Sequence, residues 1–144
     1  MKAPGPGGLE VRWAEVDGLH LRLALAPPLP GGRSLLLLPG RTEFLEKYED
    51  VFLELRRRGF RVASLDWRGQ GASSRLVADP KRGHIEDFRD FQRDLDALLA
   101  LAAEALPRPW TLLAHSMGGL ILAERLVAAP ATAARAVMCA PLFA

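Results

Sequence analysis

The chain of 144 residues holds one cysteine, one tyrosine and three histidines. A single cysteine excludes an internal disulfide framework and fits a reducing compartment. That residue, Cys139, lies in the apolar run "RAVMCAPLFA", where a buried structural thiol is expected. Long uncharged runs are missing as well, since none reaches the roughly 18 residues that span a bilayer. The N-terminal "MKAPGPGG" lacks the apolar stretch of a secretory signal. The expectation is a soluble, cytoplasmic protein. Charge of one sign is also scarce. Nineteen Lys and Arg oppose 17 Asp and Glu, a net +2, so no basic face for nucleic acid is expected. The densest basic run, Arg56 to Arg58, closes a predicted helix, where cations suit the C-terminal dipole.

What is present suits one domain with a real core, being 49% hydrophobic and 25% charged. Residues 1–8 are rich in Pro and Gly and are expected to be disordered. "LEVRWAEVDGLHLRLALAPP" predicts two strands turning at Asp17-Gly18. "SLLLLPG" predicts a strand buried on both faces. Tyr48, Val51, Phe52 and Leu55 have helical spacing, with Gly59 as the cap. "FRVASLD" predicts another strand and "WRGQGASSRLVADPKRG" a long loop. The stretch from His84 to Leu106 predicts an amphipathic helix through Ile85, Phe88, Phe91, Leu95, Leu98 and Leu99. "WTLLAH" predicts a strand, "MGGLILAERLVAA" a helix, and "RAVMCAPLFA" starts as one more strand. A hairpin followed by alternating strands and helices argues for a mostly parallel sheet covered on both faces. Ligands in such sheets sit beyond the C-terminal strand ends. Three segments fall there: 39–43, 66–83 and 115–119.

One of these segments carries a nucleophile pattern. In Ala114-His115-Ser116-Met117-Gly118, a serine stands between a strand and a helix, with small residues two before and two after it. A serine in a strained strand-to-helix turn projects its hydroxyl above the sheet. The helix behind it offers free N–H groups and positive dipole to a developing oxyanion. A plain serine N-cap explains Ser116 alone, but not its small neighbours. The second segment, Asp66-Trp67-Arg68-Gly69-Gln70-Gly71, has only Gly-x-Gly and no helix directly behind it, so a dinucleotide site is not expected. Asp66 instead suits a structural role, accepting N–H groups of its own turn. No cofactor and no metal are expected.

Three motifs, "LLLLPGRTEFLEKY", "LDWRGQGASS" and "LLAHSMGGLI", together resemble the α/β-hydrolase superfamily. Within it the chain is most similar to the monoacylglycerol lipase/lysophospholipase group, whose domain is also described as serine aminopeptidase-like. The resemblance implies an α/β fold: a mostly parallel sheet with an N-terminal antiparallel hairpin and helices on both faces. Residues 9–144 would be the N-terminal part of one such domain, ending before the cap and the last strands. It implies Ser116 as nucleophile, with the backbone N–H groups of Arg41 and Met117 as the oxyanion hole. Pro39 stands where the family usually has His. The substrate implied is an acyl ester, a lysophospholipid or monoacylglycerol, with a small-ester or peptidase activity as the nearest alternative. Peripheral membrane contact would go through the cap. The triad order is Ser, acid, His, and none of His20, His84 and His115 follows Ser116. His115 is expected to turn away from the serine hydroxyl, and His84 to shape a pocket. The expectation is thus a serine ester hydrolase whose acid and histidine lie outside these residues, as in a truncated reading frame, leaving an exposed apolar sheet edge. The alternative is a non-catalytic remnant that binds an acyl ligand or a protein partner.

Overall fold

A computed structural model describes residues 5–143. Six strands form one sheet: β1 (Glu10–Val16), β2 (Leu19–Leu25), β3 (Arg33–Leu38), β4 (Phe60–Leu65), β5 (Trp110–His115) and β6 (Arg135–Cys139). Three α-helices connect them: α1 (Glu49–Arg57), α2 (Asp90–Ala105) and α3 (Met117–Ala128). The strand order is β1-β2-β4-β3-β5-β6. β1, β2 and β4 pair antiparallel, whereas β4, β3, β5 and β6 pair parallel. The β1–β2 turn falls at Asp17 and Gly18, both at positive φ, as the Asp-Gly signal predicts.

The leucine run of β3 shows why the sheet needs cover on both sides. Alternate strand residues point to opposite faces. Leu36 and Leu38 join the core built by α2 and α3, while Leu35 and Leu37 join the core built by α1. Phe52 of α1 and Leu95 and Leu98 of α2 are fully buried in those two layers. Removing the Phe52 ring would cost about 3–5 kcal/mol.

Three details depart from the sequence reading or refine it. Of residues 1–8, expected to be disordered, residues 1–4 lie outside the described range, and Pro6–Gly8 form a 3-10 turn against α1. There the Gly7 N–H donates to Glu49, and Arg56 donates to the Gly7 carbonyl. Next, α2 starts at Asp90 rather than near His84. Asp87 closes a local turn by accepting the Arg89 N–H on its side chain and the Asp90 N–H on its carbonyl, which competes with helix. Finally, Cys139 is exposed, not buried. β6 is the last strand of the sheet and has a neighbour, β5, on one side only.

Candidate active site

β3, β4 and β5 run parallel, so their C-terminal ends deliver Pro39–Glu43, Asp66–Gly71 and His115–Gly119 to one edge of the sheet. Ser116 joins β5 to α3 with φ 51° and ψ −118°. A non-glycine residue in this region is strained and must be held there by its surroundings. The restraints are visible. The Ser116 N–H donates to the Cys139 carbonyl at 3.0 Å, and its carbonyl accepts the N–H groups of Gly119 and Leu142. The Ser116 side chain makes no capping hydrogen bond to α3. An ordinary N-cap therefore does not account for the serine.

The small neighbours have a measurable cause. A Cβ on Gly118 would stand 2.4 Å from the Leu38 carbonyl oxygen and 2.6 Å from that of Pro39. The first turn of α3 thus rests directly on the end of β3. A Cβ on Gly40 would come within 3.1 Å of the Ser116 Cβ, so the loop after β3 passes beside the serine.

That loop is held at nearly every polar atom. Its Pro39 carbonyl accepts the Trp67 indole N–H at 2.8 Å, and its Gly40 carbonyl accepts the Gln70 amide. The Gly40 N–H donates to Glu43 Oε2 and the Thr42 N–H to Gln70 Oε1. Between them, the Arg41 N–H has no acceptor among the described residues. The Met117 N–H, first in α3, likewise has no partner one turn back in its own helix. The structure therefore brings all three sequence-predicted residues, Arg41, Ser116 and Met117, to one place.

Glu43 is the residue that sequence reasoning passed over. Its Oε2 accepts the Gly40 N–H and the Tyr48 hydroxyl at 2.5 Å each, and lies 3.1 Å from Nδ1 of His115. Burial alone would raise its carboxyl, but the Tyr48, His115 and Gly40 contacts outweigh it and hold the group below the ordinary 4.5. Burial and then Glu43 push the Tyr48 phenol up, which keeps it a neutral donor. Glu43 sits inside the "GRTEFLEKY" motif, yet no periodicity marks it, since its partners come from a loop, a 3-10 turn and a distant strand.

The Asp66–Gly71 segment proves to be a buttress. Asp66 is fully buried and accepts N–H groups from Leu45 and Ala72 and a guanidinium N–H from Arg22. Burial pushes its carboxyl up against the pull of these donors. Arg68, only 2% exposed, pairs with the buried Asp94 of α2 at 2.7 Å and with Asp17 of the hairpin. Of the histidines, His115 faces Glu43, His84 meets Glu86 at 3.2 Å, and His20 is exposed in the hairpin. Among the described residues, no group of three or more His, Cys, Asp or Glu could hold a metal ion. Nor is any helix among them long and apolar enough to cross a membrane.

Comparison with known proteins agrees with this architecture. Residues 32–144 match the family described as "Serine aminopeptidase, S33". Lysophospholipase L2 of Escherichia coli is 36% identical over 137 residues, which is 93% of this chain and 40% of that protein. Phospholipase YtpA of Bacillus subtilis is 32% identical over 90 residues, 62% of this chain and 32% of that one. The chain thus spans 40% or less of the length of these relatives. Among solved structures, the thioesterase domain of the curacin biosynthetic pathway superposes with a TM-score of 0.74 at 22% identity, over 92% of this chain and 46% of that one. An epoxide hydrolase from Vigna radiata superposes with a TM-score of 0.71 at 22% identity, over 90% of this chain and 39% of that one. These two likenesses speak for the fold alone. The motifs, the sheet order and the family match lead to one statement: the chain belongs to the serine aminopeptidase family of α/β-hydrolases, and its described part is the lysophospholipase-like N-terminal portion.

Proposed function

We propose that this chain carries the nucleophile and oxyanion side of a serine ester hydrolase acting on lysophospholipids or monoacylglycerols. One observation carries the reading. A strained serine without a capping bond stands beside a loop whose Gly40 and Thr42 N–H groups are engaged while Arg41 N–H is left over. In the proposed reaction, Ser116 Oγ attacks the ester carbonyl carbon. The carbonyl oxygen takes the negative charge and accepts hydrogen bonds from the N–H groups of Arg41 and Met117. Collapse expels the alcohol, and water later releases the acyl group as a carboxylic acid. Each oxyanion donor is worth about 10²–10³ in rate. Replacing His by Pro39 leaves both main-chain donors in place, and the Pro39 carbonyl serves Trp67 instead.

The relatives named lysophospholipase and phospholipase support the substrate class. The reading needs a general base and an acid, and no histidine follows Ser116 within these 144 residues. The exposed β6 edge carries a second reading, a non-catalytic chain that binds an acyl ligand or a partner through that edge. A fluorophosphonate probe separates the two. Ser116-dependent labelling supports the hydrolase, and equal labelling of the Ser116→Ala chain removes it. Oxyanion hole and binding alone can sustain about 10³–10⁴ over water, so labelling rates and not residual turnover are the measure.

A further inference from the structure

The strand-end surface holds a second feature that the ester chemistry does not use. A cleft of about 420 Å³ opens beside the oxyanion loop, lined by Arg41, Lys81, Arg82, Gly83, His84 and Ile85. Its polar side chains are all basic. Most other cations near the sheet ends are neutralised: Arg22 by Asp66 and Glu46, Arg68 by Asp94 and Asp17, Arg93 by Asp17 and Asp90. Among the described residues, Arg41, Lys81 and Arg82 have no carboxylate within ion-pair reach. Three unneutralised cations held in one concavity repel each other, and a bound anion relieves that repulsion.

The cleft has a fixed frame. Asp79 accepts the Lys81 N–H on its side chain and the Arg82 N–H on its carbonyl, so a turn presents the two cations together. The Gly83-His84 backbone packs on Gly69, where a Cβ would stand 3.1 Å from the His84 carbonyl oxygen. Gln70, next in line, ties this segment to the oxyanion loop through Gly40 and Thr42. The nearby acids, Asp79 and Glu86, lie outside the lining, where Asp79 is engaged with the Lys81 N–H and Glu86 with His84.

We propose that this cleft binds the phosphate of a lysoglycerophospholipid headgroup, and thereby selects a phosphate-bearing ester over a neutral monoacylglycerol. The proposal rests on the ester-hydrolase reading above. Arg41 links the two sites: its free N–H is the proposed oxyanion donor, and the residue also lines the cleft. In a lysoglycerophospholipid, a three-carbon glycerol joins the acyl ester to the phosphate. An ester at Ser116 therefore puts its phosphate within a side chain's length of Arg41. Guanidinium is well suited to this, since its fork of donors matches phosphate oxygens. Ile85 gives the glycerol an apolar wall. A second basic cleft, with Arg33, Arg108 and Arg135, lies at the opposite strand ends and cannot serve the same molecule.

The test uses the 144-residue chain with Ser116→Ala, so that no turnover intervenes. Calorimetric titration compares monomeric hexanoyl-lysophosphatidylcholine, monohexanoylglycerol and inorganic phosphate. The phosphate-bearing lipid is expected to bind about 10-fold tighter than the neutral one, with a margin that shrinks as salt rises. Adding Lys81→Ala and Arg82→Ala should abolish the margin while the circular dichroism spectrum stays unchanged. An undiminished preference in that variant, or no preference at the outset, overturns the proposal. Inorganic phosphate binding as tightly as the lipid makes this a free-anion site and also overturns it. The ester-hydrolase reading fails separately: a headgroup preference that survives while fluorophosphonate ignores Ser116 removes the enzyme and leaves the subsite.

Discussion

Gly118 has no room for a side chain, because the carbonyl oxygens of Leu38 and Pro39 already occupy the space. Gly118→Val should lower stability by about 1–3 kcal/mol, as overpacking does, and urea denaturation would show it. A variant as stable as the parent would mean that α3 does not rest on β3 as described. Glu43 makes a different prediction. Its folded carboxyl titrates below the ordinary 4.5, so the contacts to Tyr48, His115 and Gly40 stabilise the fold above that pH. Their contribution is lost as pH falls from 4.5 through the lower folded value. Denaturation curves for Glu43→Gln and the parent should therefore differ at pH 7 and converge in acid. A gap that widens in acid would reverse the sign and refute the assignment. At this scale the sequence was uneven. The turn at Ser116 and Met117 was legible, since small neighbours and a strand-helix junction mark it, whereas Arg41 was reached only through the family resemblance. Glu43 was not legible, because its meaning depends on three partners that meet only in the folded chain.

Among the elements, the loop of residues 66–71 does the most to hold the site together. Arg68 reaches from it into α2 and the hairpin, and Asp94 receives it at a fully buried position. Removing Asp94 takes away the buried carboxylate of Arg68 and leaves it only Asp17 and Asp90, so Asp94→Ala should cost up to about 3–5 kcal/mol. A loss under about 1 kcal/mol by chemical denaturation would show that the pair is dispensable. The sequence marked this segment as structural through Asp66 but did not reveal the Arg68–Asp94 pair. The two residues lie 26 positions apart, and no local pattern joins them. The strands and helices themselves were readable from periodicity. The start of α2 was not, because the local turn at Asp87 displaces the first helical residues despite their apolar spacing.

At the scale of the whole molecule, the exposed β6 edge and the elbow are parts of one problem. β6 presents Val137 and Cys139 to solvent and has a strand on one side only. Unpaired edges of this kind pair with other chains. Val137→Lys should reduce self-association of the 144-residue chain in sedimentation velocity, and an unchanged distribution would show that the edge is not the cause. The same strand supplies the Cys139 carbonyl that fixes the Ser116 N–H, so the elbow's strain depends on β6 staying in the sheet. The mostly parallel sheet and its two-sided cover were legible before the structure, whereas the strand order and the exposure of Cys139 were not: order depends on which strands pair in space, and an apolar run reads as core wherever it falls. The central claim is that Ser116 accepts an acyl group. Incubating the chain with a p-nitrophenyl ester and mapping the product by intact mass and peptide mass spectrometry tests it directly. The account predicts one acyl adduct, located on Ser116, forming faster as pH rises and lost in Ser116→Ala. Acylation that persists in that variant, or a folded chain that takes no acyl group at any pH, would contradict it.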